Sequence, residues 1–536
     1  MTDAQLAAFG QLCNGEPRQP IVELAMTANR LHQLIEQRFS QNSQKRCLTD
    51  FDGAAFTGEQ MLQAIHAAEQ KLQGAQVRPG DRVMLVGENA VAMCAFVFAC
   101  SRLDAWALPI NARQSSAELQ RIRQHAEPRA MVFASQVSTA ADAHAQHFGA
   151  AETVRASFGE VRILPQLACQ PEPCFRSASE QTAALFYTTG TTGEPKGVEL
   201  SHNNLMFMAR ASGAVRGLNS NDLLYCCIPI THIYAFASGM LATLSQGAEL
   251  WLASRFDPSD TFSALRQGVT CMPAVPAMYA HLMEHAERQG LVRLDAPKLR
   301  YIAAGGAPLD PDWKARVEQT FGLTLNNGYG MTEASPGIAV TRIGVEPADD
   351  ACGPALPGTE VYLAPPPGKN TLDKGVGEVL VRGPHVMKGY YKNPKATAAA
   401  LDTRGYLHTG DLGRWTAKGC LEIVGRCKEL IIRSGFNVYP PEVESALNSH
   451  PQVTQCAVVG RPVKGNEQVL AFVQRAAGAE LSSKVLQAWT KERLSPYKVP
   501  SLIIIADVLP CAPSGKPLKH LMIEHFKEAL HAAECA

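Results

Sequence analysis

Neither sign of charge predominates in this chain. Lys plus Arg and Asp plus Glu number 50 each in 536 residues, so the formal net charge is zero. Without a global field there is no footprint for nucleic acid or an anionic membrane, and an anionic ligand must be held by local donors. Long apolar runs are also missing. The longest, Ala90 to Cys100, is too short to span a bilayer and reads as a buried helix. The opening residues carry no basic stretch followed by an apolar one, so a secretory leader is not expected. Fifteen cysteines are present but no CxxC pair, which fits reduced thiols and the cytoplasm rather than a disulfide framework. Internal repeats and low-complexity tracts are absent. A Walker A loop is lacking too: Pro195 precedes Lys196 and Gly197 follows it, where that loop needs Gly before and Ser or Thr after. A switch-type P-loop ATPase is therefore disfavoured.

What is present is enough chain for two or more cores, with 46% apolar and 19% charged residues. The first half alternates apolar strands, such as Arg82 to Val86, Ala107 to Ile110 and Met131 to Ala134, with helical runs at Asn89 to Leu103 and Ala117 to His125. This rhythm predicts a mostly parallel sheet with helices on both faces. Glu249 to Leu252 and Tyr301 to Ala304 continue it. Around 340–425 short strands and Gly/Pro turns, including Gly377 to Gly383, predict a small antiparallel, barrel-like subdomain. After Gly425 a new α/β pattern opens with a helix at Pro440-Pro441-Glu442 and strands near Val453 to Val459 and Val469 to Gln474. The expected organisation is residues 1–425 as a large N-terminal domain of doubly wound mixed sheets plus the subdomain, and 426–536 as a small α+β C-terminal domain.

The most informative stretch runs from Tyr187 through Thr188, Thr189, Gly190, Thr191, Thr192, Gly193, Glu194 and Pro195 to Lys196 and Gly197, after the apolar strand Ala183 to Phe186. Glycines let backbone N–H groups turn inward, hydroxyls add donors and Lys196 adds charge, together making a nest for polyphosphate. The bland alternative is a surface loop rich in Gly and Thr. The segment, continuing as Val198-Glu199-Leu200-Ser201-His202, closely resembles the phosphate loop of the acyl-CoA synthetase, adenylation-domain and luciferase superfamily of adenylate-forming enzymes. Four further motifs follow in family order over roughly residues 180–520, while the segment before 80 carries none.

Gly305-Gly306-Ala307-Pro308 ends the Tyr301 strand, and its small residues let a flat base approach the backbone. Asn327-Gly328-Tyr329-Gly330-Met331-Thr332-Glu333 resembles the second nucleotide motif, although alone it could be a tight turn. The resemblance implies that Asn327 hydrogen-bonds adenine, Tyr329 packs on it, Thr332 donates to the α-phosphate and Glu333 helps hold Mg²⁺, a hard cation suited to oxygen ligands. Thr409-Gly410-Asp411, weak as a tripeptide, resembles the ribose clamp. Asp411 would accept from both ribose hydroxyls, with Arg426 in support.

Gly425 to Val438 matches the family's hinge region, so the C-terminal domain is expected to swing between an adenylating and a thioester-forming orientation. Lys428, otherwise an ordinary exposed lysine, would be the hinge residue, and Gly435 would line the pantetheine tunnel. Pro513-Ser514-Gly515-Lys516 resembles the catalytic lysine loop. From the residues alone, Lys516 and Lys519 both read as solvated, but the resemblance makes Lys516 the cation that offsets repulsion between carboxylate and α-phosphate. Two departures from the family pattern are small: Arg433 stands where lysine is common, and Pro517 where Ile is frequent.

Pro229 to Phe236 resembles the start of the acyl-pocket helix. His232 would form a gate or wall beside the carboxylate, with Ile233, Tyr234, Gly305, Gly330 and Pro336 lining the pocket; as a bare residue His232 reads as a core histidine. No Asp stands where amino-acid-activating members pair the substrate ammonium. Met272 to Pro276, Ala303 to Gly305 and Ala334 to Gly337 hold no arginine for a second carboxylate. The expectation is an ATP- and Mg²⁺-dependent, AMP-forming acid–CoA ligase acting on a hydrophobic aryl or fatty monocarboxylate. Its partners are ATP, coenzyme A and the acid, with no nucleic acid and no integral membrane segment, and a homodimer is compatible with this. The alternative is a stand-alone ligase loading a carrier-protein phosphopantetheine. A luciferase-like oxygenase and a non-catalytic scaffold are weaker rivals; a scaffold has no need of Lys196, Glu333, Asp411 and Lys516 together.

Overall fold

A computed structural model of the chain describes residues 28–536 except 190–194, 292, 307–308, 310, 344–350, 366–371, 373–374, 434–435, 464–465, 477, 512–516 and 536. Its α/β architecture rests on two eight-stranded mixed sheets. In the first, Arg82–Gly87 lies between Trp106–Asn111 and Ala130–Phe133, all parallel. Every residue of Arg82–Gly87 is buried, as a parallel strand covered on both faces requires. Thr182–Thr189 runs parallel to Trp106–Asn111, and the chain then returns antiparallel as Pro195–Ser201. In the second sheet Arg46–Thr49, Glu249–Leu252, Leu223–Cys226, Cys271–Ala274, Tyr301–Gly305 and Leu325–Gly330 are successive parallel neighbours. Antiparallel strands Ala55–Thr57 and Gly337–Val340 close its edges.

The helix Val91–Arg102 joins the two sheets. It is apolar all round and buried from Val91 to Ser101, so it must be enclosed. It shares one core with Val83 and Leu85 of the first sheet and Leu224 and Leu250 of the second. Asp50 Oδ1 accepts the otherwise orphaned Val91 N–H at 2.9 Å. Asn89, just before the helix, donates to Cys226 O and Ile228 O (3.1 and 2.9 Å) and accepts from Ile230 N–H (2.7 Å). One buried carboxamide thus fixes the chain leaving the second sheet toward His232.

Residues Glu360–Ala364, Gly377–Arg382, Leu407–Trp415 and Leu421–Arg426 form the expected antiparallel sheet, paired in that order. Beyond Arg426 the strands Val453–Val463, Asn466–Arg475 and Leu502–Ala506 make a three-stranded sheet with its own core. The helix Pro440–Asn448 begins on proline, as the sequence predicts. Among the described residues no helix is long and apolar enough to cross a membrane.

One buried ring makes the fold acid-sensitive. His385 is fully enclosed and stacked 5.7 Å from Phe207, and neither ring nitrogen finds a partner among the described residues. Burial lowers its pKa to about 4, against an unfolded value of about 6.5. The native state therefore holds the ring neutral, and protonation favours the unfolded chain. His385 leaves stability intact above pH 6.5 and removes about 3 kcal/mol as pH falls through 4. Urea midpoints compared at pH 7.5 and 5 should fall less in His385→Phe than in the native protein; an equal fall in both contradicts this.

Candidate active site

The described ends of the phosphate-loop motif pair as antiparallel strands. Thr188 pairs with Lys196 and Thr189 with Pro195. Gly190, Thr191, Thr192 and Gly193 between them lie outside the described residues. Lys196 Nζ sits 5.1 Å above the Tyr390 ring, and the Tyr390 hydroxyl donates to Glu333 Oε1 at 2.8 Å. Tyr390 reaches this place because the short strand Gly389–Tyr390 pairs with Val198 and Glu199. Glu333 is buried in the single turn Thr332–Ala334, its carbonyl accepting from Met387 N–H at 2.9 Å. Burial and the neighbouring Glu333 carboxylate both push the Tyr390 hydroxyl pKa up, so it remains a donor. A phenol ring thus stands between a cation and a carboxylate.

The opposite end is built at the C-terminal ends of parallel strands, the usual ligand-binding edge of such sheets. Gly305 pairs with Gly328, and Ala304 with Asn327. Gly306 follows Gly305 and is exposed, whereas Ala307 and Pro308 lie outside the described residues. Asn327 is buried, and its Oδ1 accepts from Gly328 N–H at 2.9 Å. At Gly330 a Cβ would fall 2.0 Å from Pro336 O, so no side chain fits. Met331 N–H donates to that same carbonyl at 2.9 Å. The Tyr329 hydroxyl donates to Asp411 Oδ2 at 2.7 Å, and Arg426 Nε lies 3.2 Å from Asp411 Oδ1. Asp411 and Arg426 are directly opposed in an antiparallel pair, and Asp411 N–H is held by Thr409 Oγ1 at 3.1 Å. Burial first, then the Asp411 charge, raises the Tyr329 hydroxyl well above its ordinary pKa. Two different sheets therefore converge on one carboxylate.

His232 is exposed two residues before Tyr234. It is surrounded by protein yet keeps an open face, and this desolvation lowers its pKa, leaving the imidazole neutral at pH 7. Tyr234 N–H donates to its Nδ1 at 3.2 Å. Tyr234 opens the π-helix Tyr234–Leu241, a form common at functional sites. Its ring would lie 3.6 Å from a Cβ on Gly305. Ile233 is buried in the main core, and Pro336 is buried beside Gly330.

Lys428 is exposed in the turn after the strand Leu421–Arg426. Cys427 N–H donates to Gly410 O at 2.8 Å, so this turn is tied to the Asp411 loop. Gly435 and Lys516 lie outside the described residues; flanking the latter, Cys511 and Pro517 form a β-bridge. Lys519 is not solvated as the sequence suggested. It is held between Glu429 (2.7 Å) and Glu444 (2.9 Å), which joins the segment after Lys516 to the hinge turn. Sequence reasoning missed Tyr390, whose only local sign is its place after Gly389.

For Mg²⁺ the donor set is a lone carboxylate, Glu333; no cluster of three acidic, His or Cys ligands occurs among the described residues. This fits a hard cation held largely by phosphate oxygens and water.

The family model described as AMP-binding enzyme matches residues 35–391, and that described as AMP-binding enzyme C-terminal domain matches residues 442–516. A feruloyl-CoA synthase from Amycolatopsis is 34% identical over 470 residues, covering 87% of this chain and 93% of that protein. A 4-coumarate–CoA ligase from Oryza sativa is 30% identical over 538 residues, covering 94% and 93%. The structure of the o-succinylbenzoate CoA synthetase MenE from Bacillus subtilis, in complex with ATP and magnesium ion, superposes with a TM-score of 0.77 at 27% identity, covering 91% of this chain and 98% of that one.

Proposed function

The chain belongs to the AMP-binding enzyme family, and we propose that within it the protein joins aryl carboxylic acids to coenzyme A. It is an AMP-forming acid–thiol ligase using ATP, Mg²⁺ and CoA. The observation that carries the site assignment is the convergence of Tyr329, Asp411 and Arg426 beside Gly305 and Gly306, with Lys196, Tyr390 and Glu333 gathered at the paired strands.

In the reaction the acid's carboxylate oxygen attacks the α-phosphorus of ATP, and the bond to the β-phosphate oxygen breaks, releasing pyrophosphate. The CoA thiol, losing its proton, then attacks the acyl carbon of the mixed anhydride and AMP leaves. Asp411 holds the ribose hydroxyls, preset by Tyr329 and Arg426. Lys196 and the loop before it hold the β- and γ-phosphates, Thr332 donates to the α-phosphate, and neutral His232 walls the acid's carboxylate. Glu333 would hold Mg²⁺, which when bound would supply charge neutralisation on the phosphates. Residues 1–425 and 426–536 act as two units that rotate about Lys428, so that Lys516 serves the first step and Gly435 passes the pantetheine in the second. The cytoplasm is the proposed compartment, supported by the described cysteines all being free thiols.

The choice of aryl over fatty acids is supported by Tyr234 beside Gly305 and by the aryl substrates named for both relatives above. Pyrophosphate release across ferulate, 4-coumarate, benzoate and decanoate tests it. The expected result is turnover of a cinnamate-type acid above decanoate; the reverse order overturns it.

A further inference from the structure

No arginine stands in the segments that the sequence marks as lining the acyl pocket, yet the fold packs one against Tyr234, the ring that flanks Gly305. Arg216 follows the helix His202–Val215 and is 4% exposed. Its guanidinium carbon lies 6.0 Å from the Tyr234 ring centre and 5.8 Å from that of Tyr301. Tyr301 begins the strand that ends at Gly305, and Tyr234 is the ring that flanks Gly305. One Arg216 N–H donates to Ser238 O, within the π-helix one turn after Tyr234. Ser238 is itself fixed, its hydroxyl accepting from Ser212 at 2.8 Å.

Arg216 makes no ion pair with any described carboxylate. Asp222, the acid on the neighbouring strand approach, is taken by Arg300 at 2.6 Å. The Nε–H of Arg216 is buried and meets no acceptor among the described residues. A guanidinium withdrawn from water without a carboxylate is strongly disfavoured. Two aromatic faces, the Ser238 carbonyl and the Tyr301 hydroxyl offset only part of that cost. Core packing alone does not explain it, since an apolar side chain of similar length would fill the same volume without an unmet donor. A ligand oxygen would complete the arrangement.

We propose that Arg216 is the specificity-determining residue of the acyl pocket, donating to an oxygen at the far end of the acid from its reacting carboxylate. Resting on the aryl-acid reading above, this defines the substrate class as planar aryl acids with a ring oxygen distal to the acid chain. The acid's ring lies along Tyr234, its carboxylate at Gly305 and His232, and its hydroxyl or methoxy oxygen toward Arg216. An alkyl chain would leave the buried donor unmet, which is how a hydrogen-bonding pocket rejects an analogue of equal size.

The test compares kcat/KM for 4-hydroxycinnamate and 4-methylcinnamate, which match in shape but differ in the acceptor. The native enzyme should prefer the hydroxyl compound by at least about tenfold. In Arg216→Met the ratio should fall to near one, and in Arg216→Lys to an intermediate value, because lysine keeps the charge without the fork. A merely structural arginine would slow both acids together and leave the ratio unchanged, which overturns the proposal. The native ratio decides the matter even where a variant fails to fold: equal turnover of the two acids overturns the role of Arg216 while leaving the aryl reading intact. Turnover of decanoate with neither cinnamate overturns both.

Discussion

In Lys516→Ala, acid-dependent pyrophosphate release falls by roughly 10²–10³-fold, while thioester formation from supplied acyl-AMP and CoA stays near the native rate. The size follows from losing one well-aimed charge, about 3–4 kcal/mol at a transition state. Both reactants of the first step are anionic, so attack of a carboxylate on the α-phosphate builds charge on the transferring group with nothing in the substrates to neutralise it. Lys196 is held at Tyr390, toward the outer phosphates. Glu333 is acidic, and Arg426 is engaged with Asp411. The added cation must therefore come from elsewhere, and Lys516 lies in the segment between Cys511 and Pro517, which pair as a bridge. The second step expels AMP from a neutral acyl carbon and has no such need. Separate assays of the two half-reactions check this, and equal loss in both contradicts the assignment.

In Asp411→Ala the KM for ATP rises roughly 10- to 100-fold, with a smaller change in kcat. The buried carboxylate accepts from Tyr329 at 2.7 Å and faces Arg426 at 3.2 Å. Hydrogen bonds to a charged group contribute about 1.5–3 kcal/mol each, and removal strands the half-buried Tyr329 phenol donor as well. The ribose does not react, so the loss is one of binding shared by ground and transition states, which appears in KM. Initial rates over a range of ATP concentrations measure the split. A fall in kcat at unchanged KM would place Asp411 in the chemistry rather than at the ribose.

The parts of the site legible in the sequence are those whose backbone carries the chemistry. Tyr187 to Gly197 announces a phosphate nest because Gly and Thr density at a strand end has a local meaning. Gly330 is legible for the same reason, and the structure supplies the cause in the Pro336 carbonyl 2.0 Å from any Cβ. The alternating strands and helices announced the α/β sheets, since burial on both faces demands continuous apolar runs. Residues that reach the site by tertiary pairing were silent. Tyr390 arrives through a two-residue strand against Val198, and its neighbours in sequence give no sign of Lys196 or Glu333. Arg216 lies outside every segment marked for the acyl pocket, and only tertiary packing brings it to Tyr234. Lys519 likewise read as solvated until Glu429 and Glu444 closed on it.

The central claim is that this protein makes an acyl thioester through an acyl-AMP. The most direct measurement is product analysis by mass spectrometry of purified protein with ATP-Mg²⁺ and 4-coumarate, with and without CoA. The account predicts pyrophosphate release followed by AMP and coumaroyl-CoA in equal amounts, the last two requiring CoA. Pyrophosphate release with AMP and thioester at background despite added CoA would contradict it and transfer the acceptor role to a carrier protein.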